Sequence, residues 1–247
     1  MGLYRYGADE IQAVRVSQDR EEKIVNRKVF DYSFIGVGLL IQVVTFYISN
    51  SLIPGSLTPL SLISGCLGVC SVCLASQGNI WTFLFGFGQV ITYSYLCWTQ
   101  RFYGEMAINA YYFATMIYGV FAWRKRLNIE GHESGSAAIV VPRRLKNLTL
   151  LLIAVATLAV SWLTGLGLSL WTDDTQPYLD AFTTIPALVA QVLMILVYRE
   201  HWFIWLAVDI LSVILWLRAA DYCMAAQYVF WCANCIYGLR RWNSLTR

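Results

Sequence analysis

The chain has 247 residues, of which 58% are hydrophobic and only 13% charged, with a mean hydropathy of +0.55. Ordinary soluble domains carry about 25% charged residues, so this composition excludes disorder and argues against a soluble enzyme. The net charge of +3 is small and its basic residues gather on no solvated face of a domain, which sets nucleic acid aside and leaves the lipid bilayer as the medium.

Long apolar runs predict eight helices, over residues 32–50, 57–76, 80–98, 104–123, 147–170, 179–198, 202–219 and 222–239. Each can cross a hydrocarbon core of about 30 Å, and none shows the two-residue alternation of a membrane barrel strand. Residues 1–30 are polar and mixed in charge, without the short apolar core of a cleavable signal peptide. The expectation is an all-α polytopic membrane protein with five segments. Residues 1–30 form a cytoplasmic N-terminal segment and 31–56 a peripheral first helix. Residues 57–126 make a first three-helix unit, 127–178 a cytoplasmic loop with a linking fifth helix, and 179–247 a second three-helix unit with a short tail. The stretch 127–141, with His132, Glu133, Ser134, Gly135 and Ser136, reads as a flexible linker.

Alternate connections differ sharply in charge. Apart from Arg101 and Arg218, all of the 18 Lys and Arg residues fall on one side of this eight-helix topology. Cytoplasmic segments collect Lys and Arg, so both termini are expected in the cytoplasm.

The fourth helix ends Ile117-Tyr118-Gly119-Val120-Phe121-Ala122-Trp123 and the eighth Ile236-Tyr237-Gly238-Leu239-Arg240-Arg241-Trp242, an I-Y-G-x-x-x-W match 119 residues apart. Helices two to four and six to eight then form equivalent triplets separated by one helix. A triplet reverses sides and the linking helix reverses again, so the repeats are parallel. An axis along the membrane normal relates them, with a substrate site expected at mid-depth between them.

A carboxylate at mid-membrane costs about 2.5–3.5 kcal/mol on insertion scales. Asp209 is such a group, seven residues or about 10 Å beyond Trp202 along a helix. Glu105, Asp180, Arg218 and Asp221 lie near helix ends, where they can reach the headgroups. Trp202, Trp205 and Asp209 share one helix face, and two indoles beside an anion make a receptor for a flat organic cation. Trp202 also fits an interfacial aromatic belt. Gln89, Asn109, Gln191, Gln227 and Asn234 are further mid-depth polar groups, suited either to ribose and carboxamide hydrogen bonds or to joining helices. Gln89 and Asp209 are expected at comparable places in the two triplets, whereas Gln42, in the first helix, reads as structural.

Seven cysteines, Cys232-x-x-Cys235 among them, lie in apolar helices without a matching His cluster and read as small apolar filler. Asp173 and Asp174 read as a solvated turn. Nucleophile, phosphate-loop and zinc motifs are missing from the sequence, so neither enzymatic chemistry, metal nor cofactor is expected.

Trp202-x-x-Trp205-x-x-x-Asp209, the three-plus-one-plus-three repeat and the I-Y-G-x-x-x-W helix ends together resemble the PnuC family of bacterial nicotinamide riboside transporters, over residues 57–244. The resemblance implies a fold like that of the sugar-carrying SWEET proteins, a location in the bacterial inner membrane, and import by facilitated diffusion with trapping by a cytoplasmic riboside kinase. It implies that Trp202 and Trp205 surround the pyridinium ring and that Asp209, where many relatives have Asn, binds the carboxamide or ribose. Gln89, Asn109 and Gln227 match polar positions of the family. A homo-oligomer is compatible with such a chain. Relatives of this family carry thiamine or riboflavin, and these substrates remain alternatives, as does a membrane protein that binds a ligand without transporting it.

Overall fold

A computed structural model describes residues 3–100, 103–130, 140–173, 176–218 and 222–245. All regular structure among them is helical: α1 (Leu3–Leu52), α2 (Pro59–Ser76), α3 (Thr82–Gln100), α4 (Tyr103–Glu130), α5 (Asn147–Trp171), α6 (Pro177–Ile195), α7 (His201–Arg218) and α8 (Tyr222–Leu245). The chain divides into two units, residues 1–37 and 38–247. The first is helical from Leu3 on, where a polar tail was expected, and within it Phe30 stacks on Phe34 at 5.9 Å.

Eight helices stand where eight were expected. Among the described residues four stretches are long and apolar enough to cross a membrane on composition alone: Val25–Leu52, Pro59–Ser76, Asn147–Trp171 and Pro177–Ile195. Helix α7 contributes a shorter apolar stretch, His201–Leu215.

In the second unit α2, α3, α4, α6, α7 and α8 close a ring in that order, each against the next, with α8 returning to α2. Helix α5 packs on α6 outside the ring, and α3 and α7 stand across it from one another, without a close backbone approach among the described residues. The end of α1 lies over the α2–α8 contact, where Gly38 faces Val69 and Phe230. Local chemistry sets the helix starts. Thr58 and Ser61 form a reciprocal capping box at α2, and proline occupies the first turn of both α2 and α6, where its missing N–H costs nothing.

Helices α2 and α6 stop in the same way. The N–H groups of Gly78 and Asn79 return to the carbonyls of Ala75 and Leu74; those of Val197 and Tyr198 return to Met194 and Leu193, each residue 119 positions on. This stop needs one left-handed residue, Gly78 at φ 70° and Val197 at φ 63°. Glycine adopts that backbone freely, whereas a β-branched valine is strained there.

The segment following residues 131–139 bridges the two turns. Val140 N–H donates to the Gly78 carbonyl at 3.1 Å, Arg143 N–H to the Val197 carbonyl at 2.7 Å, and Arg199 N–H to the Arg143 carbonyl at 3.0 Å. Glu200, 3% exposed, accepts the Leu145 N–H at 3.1 Å and the Arg199 Nε–H at 3.2 Å. The linker expected over 127–141 is therefore helical to Glu130 and packed again from Val140, which is fully buried. His132, Glu133, Ser134, Gly135 and Ser136 lie outside the described residues, as do Arg101, Asp174 and Asp221.

Candidate functional site

The ring is sealed at the end of these turns by aromatic side chains arranged in pairs. In α4, Gly119 lacks a side chain where the Phe83 ring sits; a Cβ there would lie 2.6 Å from it. In α8, Gly238 receives the Trp202 indole at the same 2.6 Å. Phe83 meets Trp123 edge to face at 5.1 Å, and Trp202 meets Trp242 edge to face at 5.8 Å. His201 completes this end, buried between Trp202 and Trp242 with ring centroids 4.4 and 4.6 Å away, its Nδ1–H donated to the Tyr198 carbonyl.

Trp202 therefore belongs to a packed aromatic cluster rather than to an open belt at the membrane surface. It is 3% exposed, and its indole N–H has no hydrogen-bond partner. Trp205, one turn further along α7, is half-buried against the same cluster. Asp209 follows one turn later at 2% exposure, so all three residues of the motif point into the protein.

Asp209 meets α8. The Cys235 thiol donates to its Oδ2 at 3.2 Å, a contact that the reading of the cysteines as apolar filler missed. A lone thiol gives no motif, and only the packing of α7 on α8 reveals it. Asn234, adjacent to Cys235 and 2% exposed, donates its Nδ2–H to the Val72 carbonyl at 3.3 Å, while its Oδ1 is buried without a partner. Ser212, 5% exposed, extends the buried face of α7 beyond Asp209.

The remaining polar residues are spread around the ring. Asn109 of α4 is buried; Gln89 of α3 and Gln227 of α8 are half-buried. Gln191 of α6 approaches the Thr115 hydroxyl at 3.5 Å, and Tyr111 donates its hydroxyl to the Leu188 carbonyl at 2.9 Å, so polar contacts join α4 to α6. One expectation shifts. The matched turns set a register of 119, which puts Val90, not Gln89, at the place corresponding to Asp209, and Gln89 one residue, about 100° of helix, away. A cleft of about 450 Å³ opens at the opposite end of α6 and α7, lined by residues such as Gln176, Phe182, Leu211 and Arg218, and does not include the motif. No group of three or more His, Cys, Asp or Glu suited to a metal ion occurs among the described residues.

A ring of largely apolar helices that encloses a buried carboxylate and aromatic rings fits a polytopic membrane protein. The family model described as nicotinamide mononucleotide transporter matches residues 58–244, and the chain belongs to that family, the PnuC transporters. It is 32% identical over 190 residues to the nicotinamide riboside transporter PnuC of Haemophilus influenzae, covering 76% of this chain and 80% of that one. Its identity to the PnuC of Neisseria mucosa is also 32%, over 203 residues, covering 76% and 73%. Among solved structures it is similar to a crystal structure of the vitamin B3 transporter PnuC, with a TM-score of 0.68 at 29% identity, covering 87% of this chain and 91% of that one.

Proposed function

We propose that this protein imports nicotinamide riboside across the bacterial inner membrane by facilitated diffusion, with alternating access to a site at Trp202, Trp205 and Asp209. The observation that carries the reading is Asp209, 2% exposed inside the ring with Trp205 one turn away on the same face of α7. An uncompensated carboxylate at this depth costs about 2.5–3.5 kcal/mol, a cost that a cationic ligand offsets. Nicotinamide riboside has a permanent positive charge on a flat ring, and an indole face adds about 0.5–2 kcal/mol of cation–π attraction. Gln89, Asn109, Gln227 and Asn234 supply neutral partners for its ribose and carboxamide. Both relatives at 32% identity are named as transporters of this riboside.

The mechanism follows from the repeat. Residues 57–126 and 179–247 act as parallel three-helix units, SWEET-like, with α5 linking them and α1 peripheral. Matched turns and matched tryptophans support this division. Rocking one unit against the other exposes the site to each side in turn, with both termini in the cytoplasm on the basic side. Downhill flow then continues because a cytoplasmic kinase phosphorylates the riboside and traps it. A proton-coupled cycle is disfavoured, because no second mid-depth carboxylate accompanies Asp209 as a relay among the described residues.

Counterflow of labelled nicotinamide riboside in proteoliposomes tests the reading. Exchange that unlabelled riboside drives and that survives collapse of the proton gradient is expected. Binding without counterflow overturns transport, and a preference for thiamine or riboflavin in the same assay overturns the substrate.

A further inference from the structure

Residues 119 apart carry opposite chemistry at mid-depth. Trp205 corresponds to Gly86, Asp209 to Val90, Asn234 to Thr115 and Cys235 to Met116. The register is fixed independently by the turns at Gly78 and Val197, so the difference is one of side chains and not of alignment. Val90 is as buried as Asp209, both at 2% exposure. The indole and the anion thus belong to the second triplet, and the first presents neutral side chains at the corresponding positions.

Among the described residues the Asp209 carboxylate is hydrogen-bonded on one oxygen, by the Cys235 thiol on Oδ2, and Cys235 is itself 4% exposed. A thiol is a weak donor. It fixes the orientation of the carboxylate without neutralising it, whereas a Lys or Arg in its place would satisfy the anion internally and leave nothing for a ligand. We propose that Cys235 is a positioning residue: it holds Asp209 so that Oδ1 meets the cationic ring of the substrate, which makes the α7–α8 pair the determinant of preference for a charged over a neutral nucleoside. The inference rests on the nicotinamide riboside reading above.

The test is calorimetric titration of the full chain in detergent with nicotinamide riboside and with its dihydro form, which keeps the ribose and carboxamide but loses the ring charge. The unaltered protein is expected to bind the cation at least tenfold more tightly than the neutral form. Cys235→Ala, and the volume-keeping Cys235→Val should the alanine variant not fold, reduce that ratio below threefold by weakening the cation alone. Cys235→Ser, which retains a donor, restores the ratio to within threefold of the original. Equal weakening of both ligands, or an unchanged ratio, overturns the positioning role. An unaltered protein that binds both forms equally overturns the inference while the riboside reading stands; one that binds neither overturns both.

Discussion

Trp123 and Trp242 are reciprocal fasteners. Trp123 of α4 donates its indole N–H to the Met194 carbonyl of α6 at 3.3 Å, and Trp242 of α8 donates to the Ala75 carbonyl of α2 at 3.2 Å. Donors and acceptors alike are 119 residues apart, so α4 is tied to the end of α6 as α8 is tied to the end of α2. Both indoles are fully buried, and their centroids lie 6.1 Å from each other. Helices α2, α3, α4, α7 and α8 thus share one aromatic core at the end where the turns and the bridging segment meet.

Trp123→Phe and Trp242→Phe keep a ring in this core but delete one interhelical hydrogen bond each. A buried hydrogen bond contributes about 0.5–1.5 kcal/mol, and a deserted carbonyl adds to the loss. Comparable falls in melting temperature, each corresponding to about 1–2 kcal/mol, are expected from thermal unfolding in detergent. A large effect from one variant and none from the other would show that the two contacts are not equivalent.

Gly119 and Gly238 make a matched pair of a different kind, since any side chain there enters the Phe83 or Trp202 ring at 2.6 Å. Overpacking of this severity costs about 1–3 kcal/mol. Gly238→Ala should lower the melting temperature, and Trp202→Leu in the same chain should recover part of it by vacating the space. Gly119→Ala with Phe83→Leu should behave alike. Retention of full stability by either alanine variant alone would mean that the helices are free to separate.

These pairs also mark how far the sequence could be read. The I-Y-G-x-x-x-W match located Gly119, Trp123, Gly238 and Trp242, because a close helix approach demands glycine and a large ring seals it. Their partners Phe83 and Trp202 differ in type, so the sequence does not declare them equivalent, although they too lie 119 apart. The eight helices were legible from apolar runs alone. Their polar extensions, α1 back to Leu3 and α4 on to Glu130, were not, because hydropathy reports burial in lipid and not helix formation. Asp209 stood out by its cost in a membrane. Cys235 did not, since a cysteine among apolar residues is indistinguishable from filler until its neighbour across the helix contact is known. Gln89 and Asp209, expected at comparable places, lie 120 residues apart, one more than the 119 that separates the matched turns, and one residue on a helix turns a side chain to another face.

Glu200 fastens the bridging segment to the start of α7 through the Leu145 N–H and the Arg199 guanidinium. Glu200→Ala leaves both donors unsatisfied in a site of 3% exposure, at a cost of about 1–3 kcal/mol. Glu200→Gln retains one acceptor oxygen and should cost less. Thermal unfolding ranks the two, and a glutamine variant as damaged as the alanine would assign the effect to the lost charge and not to the segment's hydrogen bond.

A ligand that binds only the folded state raises its stability by an amount set by its saturation. At a hundredfold excess over the dissociation constant this is about 2.7 kcal/mol. Nicotinamide riboside should therefore raise the melting temperature of the purified protein in a concentration-dependent way. In Asp209→Ala the intrinsic stability should hold or rise, because a buried anion and its desolvation cost are removed, while the ligand-induced increment should vanish over the same concentrations. The two effects separate binding from folding in one measurement: a variant that loses stability but keeps the increment would place Asp209 in the scaffold, outside the site.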